Sequence, residues 1–159
     1  MRILPGLKEQ LGDSWLSNIY VGKIRGQRTR AYQIDVPRKE NEVEILFTLL
    51  GIEVRVGKKR FGCPDLATAR YIRTFARIGC REFAVPYDIT RISSIADELE
   101  VSLQRGLLLL EMELDDRSSR SRSQYRSAFI KELRTEIENA GPGDAMPSFK
   151  QTTKQKTGK

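Results

Sequence analysis

The stretch Val43-Glu44-Ile45-Leu46-Phe47-Thr48-Leu49-Leu50-Gly51-Ile52-Glu53-Val54-Arg55-Val56 admits two readings, and the fold class turns on which is taken. Val43, Leu46, Phe47 and Leu50 fall at helical spacing, with Gly51 as a C-terminal stop. The same segment also alternates as a strand through Val43, Ile45, Phe47 and Leu49. Ile52, Val54 and Val56 form a strand in either case, followed by a tight basic turn at Gly57-Lys58-Lys59.

On the N-terminal side, Tyr32, Ile34 and Val36 alternate as a half-buried strand that Pro37 ends. On the C-terminal side, Pro64 and Asp65 open a helix whose buried face is Ala69, Ile72, Phe75 and Ala76 and whose end is Gly79. Phe83 and Val85 then begin a short strand closed by Pro86, and Thr90 caps a longer helix through Ile92, Ile95, Leu99 and Leu103. With residues 43–50 helical, the order is β-α-β-α-β-α. That order predicts an α/β fold with a small, partly parallel sheet of three or four strands packed with helices.

Further out, Leu7, Leu11, Trp15 and Ile19 recur at i, i+4 and mark a helical face that Gly12 divides, with Asp13 or Ser14 capping the second part. Gly22, Gly26 and the cations between them read as a mobile loop. Beyond the charged, serine-rich stretch at 115–123, Tyr125, Phe129, Leu133 and Ile137 again recur at i, i+4. The expected organisation is an α/β domain over 1–115, a basic Ser/Arg-rich linker over 116–123, an amphipathic C-terminal helix over 124–140 and a disordered basic tail over 141–159. The C-terminal helix either docks on a partner or packs on the same core, and the Ser/Arg run could accept phosphate.

The 159 residues suit one core. Apolar residues at 39 % and charged residues at 31 % exclude a chain without a core and a membrane-embedded one alike. The longest apolar run, Leu107–Leu110, is far from the ~18 residues a spanning helix needs. No secretory h-region follows Met1, so a soluble, cytoplasmic protein without a membrane partner is expected. The absence of histidine excludes imidazole catalysis and His-containing metal sites. Cys63 and Cys80 are too few for a disulfide framework or a four-thiolate zinc site and read as buried thiols.

The formal charge of +7 is unevenly placed. Between residues 22 and 39, Lys23, Arg25, Arg28, Arg30, Arg38 and Lys39 face only Asp35, and Arg55, Lys58, Lys59 and Arg60 follow shortly after. Clustered cations suit a polyanion, because each phosphate contact releases counterions. Arg70, Arg73 and Arg77 fall at i, i+3, i+7 on one helix face, which Arg81 extends. Such a row suits successive phosphates or a carboxylate-rich partner, and equally an ordinary solvated face with local ion pairs.

The block from Glu42 to Pro86 resembles the core of restriction-endonuclease-like nucleases of the PD-(D/E)XK superfamily, including archaeal Holliday-junction resolvases. The resemblance implies that Glu42 or Glu44, on a first helix, and Asp65, after a proline, bind a divalent metal such as Mg²⁺. The family's acid-x-Lys strand has no counterpart, since Glu82 is followed by Phe83-Ala84. Ile92 to Ser102 also resembles the first helix and turn of a helix-turn-helix, with Glu100 where glycine is usual and Gly106 where a buried Val or Ile is usual, so one continuous helix is expected.

The sequence therefore predicts a non-catalytic adaptor or regulator that binds RNA, DNA or a nucleic-acid-processing complex, without cofactor, through Arg28, Arg30, Lys58, Lys59, Arg60, Arg70, Arg73 and Arg77. The rivals are a protein-protein regulator such as a nuclease inhibitor that touches no nucleic acid, and a divergent Mg²⁺-dependent nuclease using Asp65 with Glu42 or Glu44.

Overall fold

The computed structural model describes residues 3–142. Helix α1 (Ile3–Leu11) ends at Gly12, where a 3-10 turn over Gly12–Ser14 redirects the chain into α2 (Leu16–Ile19). Trp15, not Asp13 or Ser14, precedes α2, and no side chain caps it. The expected loop at 22–26 is instead helical at its start, because α2 runs on as a π-turn over Tyr20–Ile24 that buries Tyr20 and Ile24. Strand β1 (Thr29–Gln33) begins earlier than the Tyr32-Ile34-Val36 alternation suggests, although Ile34 and Val36 are buried as that alternation requires.

Residues 43–56 form a hairpin, not a helix and a strand. Strand β2 (Val43–Thr48) pairs antiparallel with β3 (Gly51–Val56), in the register Val43 opposite Val56 and Thr48 opposite Gly51. Thr48 Oγ1 accepts from Leu50 N at 3.2 Å and Gly51 takes φ +125°, so the glycine closes a two-residue turn. A second short turn leads to β4 (Lys59–Cys63), which the sequence reading missed because Lys59, Arg60 and Gly62 mask its Phe61-Cys63 alternation. Connections this short force antiparallel pairing, whereas a parallel pair needs a crossover of a dozen or more residues. The expected partly parallel sheet is thus replaced by two antiparallel ones, β2-β3-β4 and β1-β5, the latter using β5 (Glu82–Pro86).

Helix α3 (Leu66–Ile78) lies between the sheets and the remaining helices. Asp65 is its N-cap, accepting from Thr68 N at 2.7 Å, and Gly79 ends it at φ +88° in a Schellman arrangement. A Cβ on Gly79 would stand 2.5 Å from the Lys39 carbonyl oxygen, so the 37–41 loop packs directly on this helix end. Arg134 Nη1 donates to Ile78 O, a carbonyl the helix leaves open, and Asn41 Nδ2 adds a second bond to Ala76 O. Phe75 stacks on Phe83 of β5 with centroids 4.3 Å apart.

Asp88, not Thr90, caps the turn at Ile89–Arg91 that leads into α4 (Ile92–Glu113). Helix α4 runs unbroken through Glu100, as the continuous-helix expectation has it, and Gly106 faces α5. Helix α5 (Ser119–Ala140) starts inside the expected linker, with Ser118 as its N-cap. Phe129, Ile130, Leu133 and Ile137 pack into the same core as Trp15, Phe75 and Leu99, so α5 spends its apolar stripe on its own chain. The expected disorder of 141–159 lies almost wholly outside the described residues. Among the described residues, no helix is long and apolar enough to cross a membrane.

Candidate nucleic-acid interface and polar cleft

Arg30 and Tyr32 occupy alternate positions of β1, and Arg28 stands immediately before the strand. Arg30 lies over the Tyr32 ring at 5.8 Å, and Arg28 lies over Tyr87 at 5.7 Å, because Tyr87 N bonds to Arg28 O and brings the two residues opposite each other. Both arginines are exposed, Tyr87 is 42 % exposed, and Tyr32 is half-buried, with its ring 5.6 Å from that of Phe83. The outcome is a strip in which guanidinium and phenol planes interleave at an open strand edge. Sequence reasoning found the arginines but not the tyrosines, since Tyr87 joins the strip only through β-pairing.

The Lys58-Lys59-Arg60 cluster sits at the β3–β4 turn, and Lys59 forms an ion pair with Asp35, just beyond β1. That contact holds the second basic cluster beside the chain that leaves the first. Asp35 is accordingly held below the usual carboxylate range by Lys59. Lys58 is exposed, and Arg60 reaches Glu53 at 3.4 Å.

The arginine row of α3 has a different environment. Arg70 Nη2 bonds to Glu100 at 2.8 Å and also pairs with Asp97, while Arg73 Nη2 bonds to Glu100 at 2.6 Å. Burial would raise the Glu100 carboxyl, but Arg70 and Arg73 outweigh it and hold the group below its ordinary value. These two guanidiniums fasten α3 to α4. Arg81 Nε donates to Val36 O at 2.7 Å and does not extend the row.

Arg77, the third member, lines a cleft of about 1040 Å³ with Lys39, Glu40, Glu42, Glu44, Arg55 and Arg126 among its walls. Glu40 accepts from Arg126 Nε at 2.8 Å and Nη2 at 2.6 Å, and Glu44 pairs with Arg55 across the hairpin. Glu44 is therefore on a strand, not on the helix that the nuclease resemblance implies. Asp65 follows β4 at the other end of the sheet, at least three residues of strand, roughly 10 Å, from the Glu44–Arg55–Arg60 row. Oxygen ligands of one Mg²⁺ lie about 2.1 Å from the ion, so Glu44 and Asp65 are not brought together in this arrangement. Among the described residues, no group of three His, Cys, Asp or Glu side chains is placed to hold a metal ion.

The β2–β3 turn carries an apolar tip that the sequence reading did not single out. Phe47 is 72 % exposed, Leu50 93 %, and Leu49 projects fully into solvent. The signal was available in Leu49-Leu50, two apolar residues at turn positions that usually hold Asn, Asp or Gly. Of the thiols, Cys80 is buried, and burial pushes it up to about 12; Cys63 is half-buried and pushed up to about 11 by the same cause. The chain matches no family model, no curated protein and no solved structure.

Proposed function

We propose that the protein is a non-catalytic adaptor or regulator that binds single-stranded nucleic acid, RNA in the first instance, along β1. The observation that supports this reading is the strip of Arg28, Arg30, Tyr32 and Tyr87, with the exposed Lys58 brought nearby by the Lys59–Asp35 pair. Cations track a phosphate backbone and aromatic rings stack on bases, a combination suited to unpaired strands. Arg70 and Arg73 are left out of this surface, because their charge is taken up by Glu100 and Asp97. Phosphate contacts of this kind bring affinity without sequence preference.

The test is fluorescence anisotropy of labelled single-stranded RNA across a salt series. Replacing Arg28 and Arg30 together by Gln is expected to weaken binding at least about tenfold and to reduce the salt slope by one to two. An unchanged slope overturns the reading.

A second reading, a regulator that docks on protein, is favoured by the exposed Phe47, Leu49 and Leu50 at the hairpin tip. The two readings are compatible in an adaptor, since the tip lies at the opposite end of β3 from Lys58 and Lys59.

A further inference from the structure

The walls of the polar cleft hold four cations and three carboxylates, but most of that charge is already matched. Glu40 occupies two donors of Arg126, and Glu44 occupies Arg55. Glu42 is exposed at the rim. Outside these pairs the cleft faces Glu42, Lys39 and the whole guanidinium of Arg77, with Nη1 of Arg126 as a further donor, so the balance is one positive charge.

Arg77 is the anomaly. It is half-buried and makes no side-chain hydrogen bond or ion pair with any described residue. Burial is the main influence lowering its pKa, Arg73 and Arg126 beside it add to the effect, and Glu40 and Glu100 only partly offset it. The five N–H donors of Arg77 have no acceptor among the described residues and remain open to the cleft, where an incoming anion can take them. The 37–41 loop fixes the site from one side, through Asn41 bonded to Pro37 O and Ala76 O.

We infer that this cleft binds a phosphate group, with Arg77 as its principal ligand and Arg126 and Lys39 as flanking donors. A planar fork takes two phosphate oxygens at once, and the N–H donors of Lys39 and Arg126 Nη1 suit the remaining oxygens of a phosphate better than a single carboxylate, which has only two. The phosphate belongs either to a small phosphorylated molecule or to the 5′ end of a nucleic-acid strand, both of which present the same oxygens. Neither Arg28 nor Arg30 lines this cleft, so the site stands whether or not β1 binds RNA.

The experiment titrates the full chain with inorganic phosphate by calorimetry at low ionic strength, and with a 5′-phosphorylated oligonucleotide beside its 5′-hydroxyl twin. Saturable phosphate binding is expected, weakened at least about tenfold in Arg77→Gln and less in Arg77→Lys, and unchanged in the Arg28→Gln, Arg30→Gln double variant. Circular dichroism and thermal melting in phosphate-free buffer check the folding of Arg77→Gln, which is expected to melt no lower than wild type. A 5′-phosphate advantage that disappears in Arg77→Gln identifies a strand end as the source. Equal affinity of the two strands, with Arg77-dependent phosphate binding, identifies a small phosphorylated molecule. No saturable phosphate binding by the wild type, or binding that Arg77→Gln leaves intact, overturns the assignment.

Discussion

The Cβ that Gly106 lacks would stand 2.6 Å from Phe129 Cζ, so α4 and α5 approach as closely as they do only because position 106 has no side chain. Phe129 fills the vacated space and meets Trp15 edge-on, with ring centroids 5.6 Å apart. Gly106→Ala gains up to about 1 kcal/mol of helix propensity but overpacks this contact, which typically costs about 1–3 kcal/mol. A net loss of about 1–2 kcal/mol is expected in urea unfolding. Combining it with Phe129→Leu should be clearly less than additive, and strict additivity would show that the two residues do not oppose each other.

Ala84 stands at the middle of β5, opposite Ala31, and its backbone groups face away from β1. Two buried hydroxyls satisfy them: Ala84 N donates to Tyr20 Oη at 2.8 Å, and Tyr71 Oη donates to Ala84 O at 2.6 Å. Burial pushes the Tyr20 hydroxyl up to about 12 and Tyr71 well above its ordinary range. Each folded value exceeds the unfolded one, so the stabilisation is complete below about pH 10 and is lost as pH rises through the folded values. For Tyr20 this corresponds to roughly 2–3 kcal/mol. Unfolding measured from pH 8 to 12 should show this alkaline fall, shallower in Tyr20→Phe, whose stability at pH 8 is lower by about 1–3 kcal/mol because Ala84 N is left unbonded.

Arg70 and Arg73 clamp Glu100 between α3 and α4, with side chains only about a quarter to a third exposed. Arg70→Gln and Glu100→Gln are therefore each expected to lower stability by about 1–2 kcal/mol. Arg70→Gln should leave RNA affinity and its salt slope unchanged. The Glu100 carboxyl is held below its ordinary value, so its contribution is present above the unfolded pKa and fades as pH falls through the folded one. Acid unfolding of Glu100→Gln should accordingly be flatter than that of the wild type below about pH 4.5. A loss of RNA binding in Arg70→Gln, with stability intact, would return the row to the binding surface.

Leu49 and Leu50 bury nothing in the folded chain, and surface changes of this kind stay within about 0.5 kcal/mol. Leu49→Ser with Leu50→Ser is expected to leave the melting temperature unchanged and to reduce binding of a hydrophobic dye. A large fall in stability would mean that the tip packs against the protein itself.

Much of the helical framework was legible from local chemistry. Asp65 and Gly79 bound α3 because a carboxylate accepts free N–H groups at one end and a glycine tolerates positive φ at the other. The apolar stripes of α4 and α5 were visible at their 3.6-residue period, and so was the exclusion of imidazole chemistry in a chain without histidine. Residues 43–50 satisfied two periodicities at once, and only their pairing with β3 decided for a strand and, through two short turns, for antiparallel sheets. The fate of each charge was equally non-local. Arg70 and Arg73 meet acids about 30 positions away, Tyr87 reaches Arg28 across a strand pair, and Arg77 is left facing a cleft lined by four separate segments, its own included. Periodicity reports which face of an element is buried, because burial repeats with backbone geometry; it carries no information on what stands opposite, which the packing of distant segments alone determines.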